Sequence, residues 1–306
     1  MAGRGPTRQR ASSIEKAAER LAQLSRLRIG GAPQRDGEAI PPEPAEGAPS
    51  PDLPAPVAAS PRTSRKVSID LEAMRLSGMV TVSSERSVIA EEFRLIKRPL
   101  LAKVFATGQD KIRHGNLIMV SSARPGEGKT FCAVNLAMSI ALERDLTVML
   151  VDADVAKPSI ADTLGFEADR GLIDLIADDG LDLADVLVRT DIDKLTVLPA
   201  GRPHLLATEL LASDRMERLV NEIAVRYSDR VVIFDSPPVL MSSAPGVLAT
   251  YVGQIVFVVQ AEKSSESSVD AALGLISSCR DVALVLNRAR ELGGMDRFSA
   301  YYGYDR

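Results

Sequence analysis

Between residues 84 and 290 the apolar positions of this chain follow two alternating rhythms. Short runs of strand length recur at 117–120, 146–151, 195–198, 230–234, 254–259 and 282–286. Most are separated by longer stretches whose apolar residues fall three and four apart, the period of a helix. Such stretches cover 131–142, 215–227 and 265–279. Upstream, Ile89, Phe93, Ile96, Leu100 and Val104 mark an amphipathic helix within 84–106. Strands that alternate with helices predict an α/β fold, a mostly parallel, doubly wound sheet with helices on both faces. In such sheets ligands bind beyond the carboxyl ends of the strands.

The pattern ahead of this region differs. Residues 1–30 hold seven arginines and lysines against Glu15 and Glu19. Ser12 and Glu15 have capping-box spacing, and Ile14, Ala18, Leu21 and Leu24 recur at helical steps, so a short basic amphipathic helix is expected. A Pro- and Ala-rich disordered linker is expected over 31–80: nine of the eighteen prolines fall between Pro33 and Pro61. Such composition buries too little apolar surface to offset the entropy of ordering. The globular domain is then expected over 81–295, with a tail over 296–306.

Composition narrows the function classes. A net charge of −4 gives no field for polyanions, so no nucleic-acid partner is expected. Cys132 and Cys279 lie far apart in apolar helical contexts and read as buried packing residues. The two histidines, His114 and His204, lack metal-ligand spacing. No signal peptide is apparent, and no apolar run approaches the ~18–20 residues of a membrane span, so a cytoplasmic protein is expected.

The chemistry concentrates in Leu117-Ile-Met-Val-Ser-Ser-Ala-Arg-Pro-Gly-Glu-Gly-Lys-Thr130. A strand, a glycine loop and a helix in this order form the setting of a phosphate-binding P-loop. Gly126 and Gly128 let the backbone curl so that successive N–H groups face phosphate oxygens. Lys129 would reach the β- and γ-phosphates, and the Thr130 hydroxyl would ligate Mg²⁺. The expected nucleotide-binding set is Pro125, Gly126, Glu127, Gly128, Lys129, Thr130 and Phe131. Ala123 stands where the strict pattern has glycine, so the match is to the relaxed form.

Carboxylates follow at two strand ends. Arg230-Val-Val-Ile-Phe-Asp235 has the form of a Walker B segment, whose Asp holds Mg²⁺ beside the P-loop hydroxyl. Val148-Met-Leu-Val-Asp152-Ala-Asp154 ends in two acids that can divide labour, one near the metal and one accepting a proton. The catalytic set expected here is Lys129, Asp152, Asp154 and Asp235, with Thr130, Asp152 and Asp235 as metal residues.

These motifs, together with Tyr301-Tyr302-Gly-Tyr304 near the C-terminus, resemble the bacterial tyrosine kinase (BY-kinase) family over residues 80–306. Ser122–Thr130 is similar to its Walker A, Val151-Asp-Ala-Asp154-Val-Ala-Lys-Pro158 to its Walker A′, and Phe234-Asp-Ser-Pro-Pro238 to its Walker B. The N-terminal helix and linker resemble stand-alone autokinases of exosortase-type exopolysaccharide loci. The resemblance implies ATP-dependent phosphorylation of Tyr301, Tyr302 and Tyr304 on a neighbouring subunit of a ring. It also implies Mg²⁺, a membrane-spanning activator of the polysaccharide co-polymerase type that recruits the chain to the inner membrane face, and control of exopolysaccharide or capsule export. The family's Glu-x-x-Arg-x-x-Arg ring-contact helix reads here Glu91, Arg94 and Lys97. Three departures stand out: Lys97 for the last arginine, Ala156 for a basic residue of the A′ motif, and only three tail tyrosines. Two other readings stay open on these residues, a partition- or division-type ATPase that switches between monomer and dimer, and a non-catalytic nucleotide-binding adaptor.

Overall fold

The computed structural model describes residues 65–81, 87–226 and 230–289. The expected helix within 1–30, most of the expected linker, and Tyr301, Tyr302 and Tyr304 lie outside the described residues. The described chain opens with β1 (Lys66–Val67), α1 (Leu71–Leu76) and the long α2 (Val88–Val104). A 3-10 turn then leads to β2 (Leu117–Ser122), α3 (Lys129–Ala141) and β3 (Thr147–Asp152). Next come α4 (Ile160–Leu164), α5 (Leu172–Ala177), α6 (Leu183–Val186), β4 (Val188–Thr190) and β5 (Leu195–Leu198). The remainder is α7 (Ala207–Leu211), α8 (Asp214–Arg226), β6 (Arg230–Asp235), α9 (Ala244–Tyr251), β7 (Gln254–Gln260), α10 (Glu266–Leu275) and β8 (Val282–Asn287).

The eight strands form one sheet in the order β1-β4-β5-β3-β6-β2-β7-β8. Every neighbouring pair is parallel except β4 and β5. The central strands are apolar on both faces, which is why they sit inside. In β2, Leu117 and Met119 enter one core while Ile118 and Val120 enter the other. In β6, Val232 and Phe234 face the first core, and Val231 and Ile233 the second. Parallel crossovers place helices over both faces, so an alternating strand buries every side chain. Register matters for the site: Asp152 pairs with Asp235, and Asp235 with Val120. The carboxyl ends of β3 and β6 are therefore level, and β2 runs two residues beyond them into the loop.

Helix α3 is buried from Cys132 to Ala141, so it reads as apolar nearly all round. Its outer side is covered by α2, where Phe93 meets Phe131 edge-on with ring centroids 6.4 Å apart. A second cover corrects the expected domain boundary. Residues 66–80, assigned from composition to the linker, belong to the folded domain: β1 pairs with β4, and Ile69, Met74 and Val80 are buried in the same core as α3. The Val80 amide donates to Asn135 Oδ1 on α3 at 2.6 Å. Prolines stop at Pro61, and the polar spacing after it hid three apolar anchors that lack a helical or strand period. Among the described residues no helix is long and apolar enough to cross a membrane.

Candidate functional site

Strand β2 ends at Ser122 and α3 begins at Lys129, leaving six residues to turn the chain. Gly126 and Gly128 make that turn with φ of 84° and 97°, a region that costs any side chain strain. Gly128 is doubly constrained, because a Cβ there would stand 2.0 Å from Asn287 Nδ2. The Asn287 amide donates to the Glu127 carbonyl at 2.9 Å. Glu127 is buried, and its carboxylate accepts from the Arg124 amide at 2.7 Å and from the Ser264 hydroxyl. An acid inside a phosphate loop is thus occupied by its own chain. Arg124 Nε donates to Ser268 Oγ at 3.1 Å. Pro125 and Gly126 form the exposed crest, and Phe131 packs beneath α2. Among the described residues no backbone carbonyl accepts from the amides of 126–131, as a helix start requires if they are to face an anion.

Beneath the loop the predicted charged residues converge. Lys129 Nζ lies 2.7 Å from Asp154 Oδ2 and 3.6 Å from Asp235 Oδ1. The Thr130 hydroxyl donates to Asp235 Oδ2 at 2.6 Å. Asp152 Oδ2 accepts the amides of Ser159 and Ile160, each at 3.0 Å, and its Oδ1 accepts the Asp154 amide at 3.2 Å. Asp154 Oδ1 accepts the Lys157 amide at 3.2 Å.

Three acids near one lysine cannot all ionise cheaply. Burial pushes the Asp235 carboxyl up to about 7, against the pull of Lys129 and the Thr130 hydroxyl. Burial likewise raises Asp152 to about 6, although the Ile160 and Ser159 amides favour its charged form. For Lys129 burial is the largest single influence and works downward. The carboxylates of Asp235, Asp154 and Asp152 together outweigh it, so its ammonium is held more firmly than usual. Cys132, in the first turn of α3, is pushed up to about 12 by burial and by Asp235, which leaves its thiol inert.

The donor set suits a hard divalent cation. Asp235 Oδ1 is buried without a hydrogen bond, on the carboxylate whose other oxygen accepts the Thr130 hydroxyl, although no group of three acidic, histidine or cysteine side chains able to hold a metal forms among the described residues. Such cations take oxygen ligands of this kind.

The oligomer residues behave differently from one another. Glu91 and Arg94 pair at 2.6 Å on a partly exposed face of α2. Lys97, expected beside them at an oligomer contact, is instead 5% exposed and committed within the chain. Its ammonium donates to Ser139 O and pairs with Glu143, both at 2.6 Å, at the C-terminal end of α3. A shorter, single-headed cation at that position turns inward, where the helix end favours positive charge. Sequence reasoning missed Ser159, Ser264 and Asn287. Only the serine and asparagine positions at or past strand ends offered any signal, and their partners lie far off in sequence.

A row of strand ends, a glycine loop opening a buried helix, and a lysine among three carboxylates define a P-loop nucleotide-binding protein. The chain belongs to the AAA domain family, whose model matches residues 115–287. It is similar to CapB of Staphylococcus aureus, at 27% identity over 75% of this chain and 95% of that protein. It is also similar to tyrosine-protein kinase YwqD of Bacillus subtilis, at 26% identity over 74% of this chain and 91% of that one. Among solved structures, the chimerical protein CapA2B2 superposes with a TM-score of 0.59 at 25% identity, covering 73% of this chain and 93% of the other. The resemblance to bacterial tyrosine kinases carried by the motifs therefore extends across the folded domain.

Proposed function

We propose that this chain is an ATP-dependent protein-tyrosine kinase that phosphorylates Tyr301, Tyr302 and Tyr304 of a neighbouring copy. The observation that carries it is the convergence of Lys129, Thr130, Asp154 and Asp235 at the carboxyl ends of β2, β3 and β6. The P-loop amides and Lys129 hold the β- and γ-phosphates of ATP. Mg²⁺ would be held by Thr130 and Asp235 with Asp152 close behind, and it supplies charge neutralisation on the phosphate oxygens.

Lys129 is paired with Asp154 in this structure and must leave it to reach a phosphate. That exchange frees Asp154 Oδ2 at the moment ATP is engaged. A tyrosine hydroxyl titrates near ~10, so it needs a positioned acceptor at neutral pH. Asp154 is the better placed of the two A′ acids, because both Asp152 oxygens are already held by amides. The tyrosine oxygen forms a bond to the γ-phosphorus, the bond from that phosphorus to the bridging oxygen breaks, ADP departs and the proton rests on Asp154. For Asp154→Asn, ADP affinity should stay within about threefold of wild type while single-turnover phosphorylation falls about 100- to 10,000-fold. Equal losses in both would assign Asp154 to binding.

The wider reading follows the family resemblance. Copies assemble into a ring through the α2 face bearing Glu91 and Arg94, and a membrane-spanning activator of the polysaccharide co-polymerase type recruits them to the inner face of the plasma membrane. Each phosphate adds about −1.5 to −2 charge to the tail, which then leaves the neighbour's acidic site. Cycles of assembly and release would regulate exopolysaccharide or capsule biosynthesis and export.

A further inference from the structure

Ser159 stands at the N-cap of α4, immediately after the A′ segment. A serine there ordinarily turns its oxygen onto an amide of the first helical turn. Here its side chain makes no such bond. Its hydroxyl instead lies 3.3 Å from Thr130 Oγ1, across the site. Its amide donates to Asp152 Oδ2 at 3.0 Å. Its carbonyl accepts the Thr163 hydroxyl at 2.6 Å and the Thr163 amide at 3.0 Å, so the residue is held from both sides. One residue thus touches the P-loop hydroxyl with its side chain and the A′ carboxylate with its backbone.

From this geometry we infer that Ser159 is a positioning residue for the divalent cation, acting through Thr130 and Asp152. The inference rests on the nucleotide and cation reading of the site given above. Thr130 has one hydroxyl proton and two lone pairs. The proton goes to Asp235 Oδ2, while Lys129 Nζ, 3.3 Å away, and the Ser159 hydroxyl face the oxygen. A cation held by the Thr130 oxygen would use one of these lone pairs. Ser159 would keep the Thr130 hydroxyl pointed at Asp235, the orientation that leaves a lone pair for the cation. Outer partners of this kind fix the orientation of the direct ligands and tune metal affinity. The arrangement also explains why the cap is forgone: the oxygen is directed at the site instead of at its own helix.

The test uses the full chain and three proteins: wild type, Ser159→Ala and Ser159→Thr. ADP binding is measured by calorimetry in EDTA and across a Mg²⁺ titration, and Mn²⁺ binding to the ADP complex is followed by electron paramagnetic resonance. In EDTA, Ser159→Ala should bind ADP within about twofold of wild type. Its Mg²⁺ midpoint should rise about tenfold, with Mn²⁺ affinity falling in parallel. Ser159→Thr, which keeps the hydroxyl, should restore both. An unchanged Mg²⁺ midpoint in Ser159→Ala would overturn the inference. So would equal weakening with and without Mg²⁺, which would make the residue a brace for the 153–160 loop. Wild-type ADP binding that ignores Mg²⁺ would overturn the cation reading and this inference with it. A shifted Mg²⁺ midpoint in a protein that never phosphorylates its tail would sink the kinase reading alone.

Discussion

Gly128 shows how much one position can carry. Its φ of 97° would strain a β-carbon, and the Asn287 side chain would have to swing off the Glu127 carbonyl to admit one. Gly128→Ala should therefore weaken ADP binding at least about tenfold and destabilise the chain by about 1–3 kcal/mol, read by calorimetry and denaturant titration. Unchanged ADP affinity would mean the loop adapts without loss. Asp235 and Asp152 make a second residue-scale prediction. Both carboxyls titrate higher in the folded chain than in the unfolded one, at about 7 and about 6. The folded state therefore binds more protons between roughly pH 4 and 7, and stability falls as pH rises through that window. The melting temperature of nucleotide-free, EDTA-treated protein should decline across it, and Asp235→Asn should flatten much of the slope. A slope identical in the variant would place its origin elsewhere.

Lys129, Thr130 and the three acids were legible in the sequence because each lies within two residues of the end or start of an element whose apolar pattern locates it. Ser264 and Asn287 were not, since they act on Glu127 across 137 and 160 residues of chain. No local pattern encodes such a contact.

At the scale of elements, the six strands of four or more residues emerged from periodicity within a residue or two. β1 and β4, of two and three residues, carry too little pattern to register. The short helices α4 to α7 escaped for the same reason, each being only four to six residues long. Helix α2 was legible as an amphipathic helix, but which of its faces turns inward was not. The motif placed Lys97 with Glu91 and Arg94 on one side, whereas 3.6 residues per turn and the neighbouring Ser139 carbonyl draw its ammonium onto α3. Lys194 reinforces the same helix end by donating to the carbonyls of Glu143 and Arg144. Lys97→Met should cost about 1–3 kcal/mol in denaturant unfolding without changing the molecular mass seen by light scattering. Glu91→Ala with Arg94→Ala should do the reverse, reducing the assembled fraction at little cost in stability. A loss of assembly in Lys97→Met with unchanged stability would return Lys97 to the interface.

At the scale of the molecule, one sheet supports everything that acts. Parallel strands deliver the P-loop, both acid segments and Asn287 to the same edge, because every strand concerned ends there. Asn287, the last residue of β8, also ties that strand end to the P-loop carbonyl of Glu127. Tyrosines 301, 302 and 304 follow 14 to 17 residues later in the chain. The central claim is that the phosphate of ATP ends on those tyrosines. Full-length protein incubated with Mg-ATP, beside Lys129→Met, should be mapped by mass spectrometry of its C-terminal peptide. Phosphate on Tyr301, Tyr302 or Tyr304 in the wild type and none in the variant is the expected result. Steady ATP hydrolysis with a phosphate-free tail would contradict the account.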